Sequence, residues 1–378
     1  MKYFDYAATT PIDPEALQVY MEAASGFYGN TSSLHDIGAK ADGLLEECRK
    51  TLGKMMGVPS EGIYFTSGGT EANHLGIISL ALENHQRGKH IITGTAEHSS
   101  VHSAMGYLEN QGFEITKLPF DREGLLPLDL LKEAIRNDTI LISIAHSNGE
   151  IGSVQNIEGA ARLIKGKGIL LHSDMVQSFG KMEIASAARM VDSLSVSSHK
   201  IYGPKGVGAV YIDPKHSPRS IFPDQSHEGG LRGGTVNTPG IAAFVTAANT
   251  ACQNFQSVKF KDLRTWFVNG MKKALGDSVS ILEAPAESQM PHVIGLCING
   301  LQGQWVMLEC NRRGFGISTG SACQTGRQAI SKTVNALGLS EEEGKEFIRI
   351  SFGKDTTKED VKELVQALAD IANSHYGQ

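Results

Sequence analysis

The 378-residue chain is poor in cysteine, in long apolar runs and in clustered charge, and each shortage excludes a class of protein. Its five cysteines, Cys48, Cys252, Cys297, Cys310 and Cys323, are odd in number and contain no CxxC pair. That argues against a disulfide framework or a zinc ribbon and fits a reducing compartment. No apolar stretch approaches the roughly 20 residues of a membrane-spanning helix. The opening Met1-Lys2-Tyr3-Phe4-Asp5-Tyr6 lacks the apolar core of a signal peptide. A cytoplasmic protein that does not engage a membrane is expected. The net charge is -6, with no basic run and no aromatic–basic stripe, so nucleic acid is not an expected partner. There is no HExxH and no GxxxxGK[ST]. His98 and His102 have the i, i+4 spacing of a metal pair but no evident third ligand, so no metal is expected.

What remains is an ordinary globular composition, 40% hydrophobic and 20% charged, on a chain long enough for a large core and a second, smaller domain. Short apolar runs at 63–66, 90–93, 139–145, 168–172, 192–197 and 207–212 read as strands. Helical patterns at 71–83 and 99–110 fall between them. Such alternation predicts an α/β fold with a largely parallel sheet covered on both faces. After a helical stretch at 240–255, the C-terminal third offers helices at 261–275, 303–313 and 357–374 and a strand at 293–298, a second α+β unit. The expected division is a large domain over 15–255 and a small one built from 1–14 and 256–378.

The most informative segment is Asp192-Ser193-Leu194-Ser195-Val196-Ser197-Ser198-His199-Lys200, followed by Ile201-Tyr202-Gly203-Pro204-Lys205-Gly206. A lysine at a strand end, beside hydroxyls and an imidazole, is placed to form a Schiff base with a carbonyl cofactor. Asp174, at the end of another apolar run, suits a pyridine nitrogen, and the pair points to pyridoxal 5'-phosphate (PLP). Ligands of open α/β sheets sit outside the carboxyl ends of the strands. Five such ends carry Ser67-Gly68-Gly69-Thr70, Glu97-His98, His146-Ser147-Asn148-Gly149-Glu150, Asp174 with Gln177, and Ser197 with His199-Lys200. Gly69 and Thr70 belong to a turn that either cradles an anion or merely caps a helix, with Ser197 and His199 as further donors. His98 suits a stacked or general-acid imidazole, and Gln177 shares a helical face with Asp174 and would address a ring oxygen. Asp174 by itself equally suits a helix cap.

Cys48, Cys252, Cys297 and Cys310 lie in helix or strand patterns and are expected as small buried hydrophobes. Cys323 lies instead among small polar residues, Gly316 to Arg327, and is expected on an exposed loop. It is either an inconsequential surface thiol or one that reaches a substrate and swings away. Arg349, in a strand-like alternation, is either a surface ion-pair partner or a fork for a substrate carboxylate.

Taken in order, Phe4-Asp5-Tyr6-Ala7-Ala8-Thr9-Thr10-Pro11, Phe65-Thr66-Ser67-Gly68-Gly69-Thr70-Glu71, Glu97-His98, Asp174-x-x-Gln177, Ser197 to Gly206 and Ser318-Thr319-Gly320-Ser321-Ala322-Cys323 resemble the cysteine desulfurases of the NifS/IscS type. The resemblance spans nearly the whole chain. It implies a fold-type-I PLP-dependent transferase, a large mainly parallel-sheet domain sandwiched by helices plus a smaller α+β domain carrying the active-cysteine loop at about 316–330. It further implies that Lys200 holds the cofactor and takes the α-proton and that His98 stacks on the ring. Asp174 and Gln177 would hold the ring nitrogen and phenolic oxygen, and Thr70, Ser197 and His199 the phosphate. Arg349 and Asn148 would bind substrate. Thr235 would reach the phosphate of a neighbouring subunit, making a homodimer. Cys323 would take sulfur from L-cysteine as a persulfide, release alanine and pass the sulfur to an acceptor protein for iron–sulfur assembly or thio-modification. The chain departs from the pattern at Gly149, where a second asparagine is usual, at Ser198 and Gly233, and across Pro223 to Gly229. Competing readings are another PLP lyase or aminotransferase, including a selenocysteine lyase, and a degenerate homologue that binds PLP without turnover.

Overall fold

The computed structural model describes residues 1–254, 257–320 and 331–377, so Cys323 and most of its expected loop lie outside the described residues. In chain order the first strands are β1 (Lys2–Tyr3), β2 (Ile63–Thr66), β3 (His90–Gly94), β4 (Glu114–Leu118), β5 (Thr139–Ser143), β6 (Leu170–Asp174), β7 (Ser193–Ser197) and β8 (Gly208–Ile212). β2 to β8 form one seven-stranded sheet in the order β2-β8-β7-β6-β5-β3-β4. β8 runs antiparallel to both neighbours, and the remaining pairs are parallel. The expected mainly parallel sheet is what the chain builds.

Successive residues along these strands feed opposite cores, as the two-residue period of a strand requires. Ile142, Leu171 and Val196 pack on one face with Leu45, Leu52 and Phe244. Leu141, Leu170 and Val210 pack on the other with Leu75, Met105 and Leu108. Two helices supply much of the first layer, the first absent from the sequence reading and the second present there only as the helical pattern around Cys48. Pro14–Gly26 is capped by the Asp13 carboxylate, and Asp36–Met56 ends on Gly57 at φ 72.

The later strands are β9 (Val279–Leu282), β10 (Val293–Ile298), β11 (Phe315–Gly316) and β12 (Phe347–Ser351). β12, β10 and β9 make an antiparallel sheet. The helices Ser257–Leu275 and Lys358–Tyr376 close over it through Leu263, Phe267, Leu364 and Leu368. β1 pairs with β11, and Phe4 enters this second core. The chain then crosses to the large sheet, where Thr10 N–H donates to His199 O (3.0 Å) and Asp13 N–H to Tyr202 O (2.8 Å).

Cys48, Cys297 and Cys310 are buried, and burial pushes each thiol up to about 12. Cys252 corrects the expectation: it is exposed, because it falls on the outward side of the last turn of the helix Thr238–Gln253. Among the described residues no helix is long and apolar enough to cross a membrane.

Candidate active site

β2 and β7 are each antiparallel to β8, so β2 points the same way as β7 and the parallel strands. The carboxyl ends of β2, β3, β5, β6 and β7 therefore open on one edge of the sheet, and the five polar clusters read from the sequence meet there.

Lys200 ends a short 3-10 turn after β7. Tyr202, two residues on, has φ 68, a strained left-handed conformation for a bulky residue. It is pinned by its N–H on Thr10 Oγ1 (2.7 Å), its carbonyl on Asp13 N–H (2.8 Å) and its hydroxyl on Lys354 N–H (2.7 Å). The clamp fixes where Lys200 emerges. Lys200 Nζ donates to Ala7 O (2.7 Å) and Ala8 O (2.9 Å). Gln177 Nε2 donates to the same Ala7 O (3.0 Å), which sets the amide beside the amine. Lys181 Nζ donates to Gln177 Oε1 (3.2 Å) and so fixes which end of that amide faces Ala7. Burial, reinforced by Lys200 and Arg349, pulls the Lys181 amine down to about 7. A cavity of about 290 Å³ adjoins Lys200 and is bordered by Tyr6, Lys181, Tyr202 and His292.

Asp174 is buried at the end of β6. Its Oδ1 accepts from Val176 N–H (2.9 Å) and its Oδ2 from Asn73 Nδ2 (2.7 Å), so both oxygens of the carboxyl group are engaged. The turn after β2 carries Gly68 at φ 149, and a Cβ on Gly69 would come within 2.8 Å of Val176 Cγ2. Only glycine lets this turn lie so close to the segment after Asp174. Thr70 is exposed in the first helical turn, while Ser197 Oγ is buried without a hydrogen-bond partner among the described residues. His199 Nδ1 lies 3.1 Å from Thr9 Oγ1, and burial, then Lys200, lowers the ring to about 4, so it is neutral at physiological pH.

His98, expected at the site, caps the helix Ser99–Asn110. Its Nδ1 accepts from Ser100 N–H (3.2 Å) and lies 2.7 Å from Ser100 Oγ, while the ring stays exposed. Arg349 is buried and not a surface residue. It pairs with Asp5 and donates to Gly149 O (3.1 Å), and its Nε has no partner among the described residues. Asn148 is engaged at both ends: Oδ1 accepts from Glu150 and Ile151 N–H, and Nδ2 donates to Thr333 Oγ1 (3.0 Å). A Cβ on Gly149 would meet Gln177 Nε2 at 2.6 Å, so the amide of Gln177 occupies the space a side chain there would need. Thr235 is exposed, on the segment whose Arg232 pairs with Glu71 (2.8 Å) behind the phosphate-type turn. Asn73, Lys181 and Tyr202 were not singled out from sequence. The signal for Asn73 was an amide on a helical stripe otherwise filled by Ala72 and Leu75.

Comparison with known proteins shows the family. The aminotransferase class-V family model matches residues 2–364. A NifS of Bacillus subtilis is 44% identical, covering 100% of this chain and 96% of the relative. The cysteine desulfurase IscS of Dictyoglomus turgidum is 37% identical, over 98% of this chain and 94% of the relative. A solved structure described as SspA in complex with cysteine superposes with a TM-score of 0.80 at 32% identity, over 93% of this chain and 99% of the other. With its site and fold arranged in this way, the chain belongs to the aminotransferase class-V family, among the cysteine desulfurases of the NifS/IscS type.

Proposed function

We propose that the protein converts L-cysteine to L-alanine with PLP as cofactor and carries the sulfur away as a persulfide on Cys323. The observation that supports it most is the meeting of Lys200 Nζ and Gln177 Nε2 at Ala7 O, with buried Asp174 at the same sheet edge. The residues fit the cofactor: the buried Ser197 Oγ, without a partner among the described residues, and the glycine turn at Gly68 and Gly69 suit its phosphate, and Asp174 suits a protonated ring nitrogen. When bound, PLP withdraws electrons from the substrate α-carbon.

In this reading Lys200 Nζ holds the cofactor and then moves the α-proton. Asp174 would hold the proton of the ring nitrogen. Gln177, its amide oriented by Lys181, would donate to the phenolic oxygen, and the exposed His98 ring would cover the cofactor. Ser197, His199 and Thr70 hold phosphate, joined by Thr235 from a second copy. Arg349, whose Nε has no partner among the described residues, would bind the substrate carboxylate, with Asn148 ordering the loop beside it. Net, the Cβ–S bond of cysteine breaks and an S–S bond forms at Cys323; of the two thiol hydrogens one ends on the methyl of alanine and one on the persulfide, and the two sulfurs are oxidised as Cβ is reduced, so no outside oxidant is needed.

A homodimer is part of this reading. Leu17, Met21, Tyr28, Leu34 and Ile37 are exposed along the first helix and the approach to the second, and an exposed apolar run of this kind suits a protein interface. Ser32 Oγ lies 3.4 Å from His227 Nδ1, which sets this surface beside the segment carrying Thr235. The small domain of 1–14 and 256–378, a cytoplasmic location and delivery of sulfur to an iron–sulfur or thio-modification acceptor complete the proposal. The test is alanine and sulfide release from L-cysteine with a thiol reductant. Equal yields from wild type and none from Cys323→Ala are expected; a PLP-loaded wild type without turnover sinks the reading.

A further inference from the structure

We propose that Asn73 is a positioning residue for this site, a single amide that sets both the Asp174 carboxylate and, through Ser100, the His98 ring. The inference rests on the cofactor reading above and deepens it.

Asn73 is almost fully buried and uses its whole hydrogen-bonding capacity. One Nδ2 hydrogen goes to Asp174 Oδ2 (2.7 Å) and the other to Ser100 Oγ (2.9 Å). Oδ1 faces His172 Nε2 (3.1 Å) and accepts from Ser195 Oγ. The amide cannot turn over, since its oxygen would then face a carboxylate. His172 must therefore carry its hydrogen on Nε2, leaving Nδ1 to accept from Ser193 Oγ (3.1 Å). Burial drives His172 down to about 3, so this side of the network stays neutral at working pH. Ser100 Oγ lies 2.7 Å from His98 Nδ1, which completes the line from Asp174 to the exposed imidazole.

The backbone is shaped for this contact. Asn73 sits near the end of Gly69–His74, where the helix passes into a π-helical turn, Leu75–Ser79, of the kind often found at functional sites. A Cβ on Gly76 would lie 2.5 Å from Ser193 Oγ and 2.8 Å from the His172 ring. The helix thus comes against the strand ends as closely as a glycine allows. A residue holding other groups in place is expected to affect cofactor electronics and retention more than substrate affinity.

The experiment compares PLP-loaded wild type with Asn73→Ala and Asn73→Leu, the second filling the vacated volume. Ser195→Ala serves as comparison, since it removes a donor to the amide oxygen and leaves both Nδ2 hydrogens in place. The readouts are the PLP dissociation constant, the pH midpoint of the bound cofactor's visible absorption change, and kcat and KM for L-cysteine. Both Asn73 variants are expected to hold PLP about 10-fold or more weakly, by analogy with the loss of a hydrogen-bond partner behind a metal ligand. Their midpoint should rise by about 0.5–1 unit, because Asp174, no longer oriented by the amide, is displaced from the ring nitrogen, whose proton is then held less firmly. kcat should fall more than KM rises. Ser195→Ala should melt earlier and keep the wild-type midpoint. An unmoved midpoint in folded Asn73 variants, or an equal movement in Ser195→Ala, overturns the positioning role. If neither Asn73 variant folds, Ser100→Ala decides: a lowered kcat with unchanged PLP affinity supports the relay, and an unchanged kcat overturns it. A wild type that takes up no PLP overturns the functional reading and this inference together, and is distinguished by the wild-type spectrum alone.

Discussion

At the scale of single residues the site is governed by burial acting on ionisable groups. Glu97, just before His98, is buried; burial first, and the Asp174 charge after it, push its carboxyl up to about 8 despite the N–H of Ala145. Its folded value lies above its unfolded value of 4.5, so the stability tied to its protonation is complete below pH 4.5. That stability falls as pH rises towards 8, by about 1.4 kcal/mol per unit at most. The buried neutral histidines His146 and His172, lowered to about 4 and about 3, act in the opposite sense as pH falls below 6.5. The difference between wild type and Glu97→Gln isolates the carboxyl: denaturation curves should diverge between pH 4.5 and 8, the variant gaining relative to wild type. Parallel curves would show Glu97 ionised throughout. Arg349 makes a second residue-scale case. Arg349→Lys keeps a charge beside Asp5 but loses the planar fork. It should raise KM for L-cysteine roughly 10–100-fold with kcat little changed, the loss of a charged hydrogen bond worth about 1.5–3 kcal/mol.

At the scale of elements, the serines of β7 show how a strand serves packing and chemistry together. Leu194 and Val196 enter the core beneath the sheet, while Ser193, Ser195 and Ser197, all buried, face His172, Asn73 and the glycine turn at Gly69. The alternation was readable as a strand from the sequence, but what each serine touches depends on the helix Gly69–His74 lying across it. Gly76→Ala should force that helix off the strands and cost about 1–3 kcal/mol in urea unfolding, as overpacking does. It should weaken PLP binding as well, because Asn73 moves with the helix; a variant with wild-type stability would show that the contact yields freely. The edge strand β4, Glu-Ile-Thr-Lys-Leu, was missed because its charged residues are exposed and its apolar content is low. It is a strand because β3 supplies a parallel ladder from His90 to Gly94.

At the scale of the whole molecule, residues 2–13 join two sheets: they pair with β11, place Phe4 in the second core and bring the Ala7 and Ala8 carbonyls to Lys200. The altered segment after Pro223 is anchored by Glu228, which accepts from Arg49 and from Phe65 N–H (2.7 Å) beneath the phosphate-type turn. Among the described residues Leu34 is the most exposed of the large apolar side chains. If the proposed homodimer forms through this surface, Leu34→Glu should reduce the mass in light scattering from two chains to one and loosen PLP, since Thr235 would lose its neighbour. A wild type that already runs as a single chain would refute the dimer.

The amino-acid sequence by itself determined the periodic elements and the chemical inventory. Strand and helix periods, the glycine turn at Gly68 and Gly69, the lysine after β7 and the carboxylate after β6 are all local features, set by neighbours a few residues apart. Tertiary structure alone decided which of these groups meet and in what state. Gln177 and Lys200 converge on a carbonyl from the seventh residue of the chain. Asn73 finds Asp174 across 101 positions. Arg349 reaches Asp5 across 344. Such contacts have no periodic signature, because hydrogen bonds between distant segments depend on how the layers pack. The neutrality of His172 and the raised carboxyl of Glu97 follow from the same packing, since exclusion of water exists only once the layers have closed.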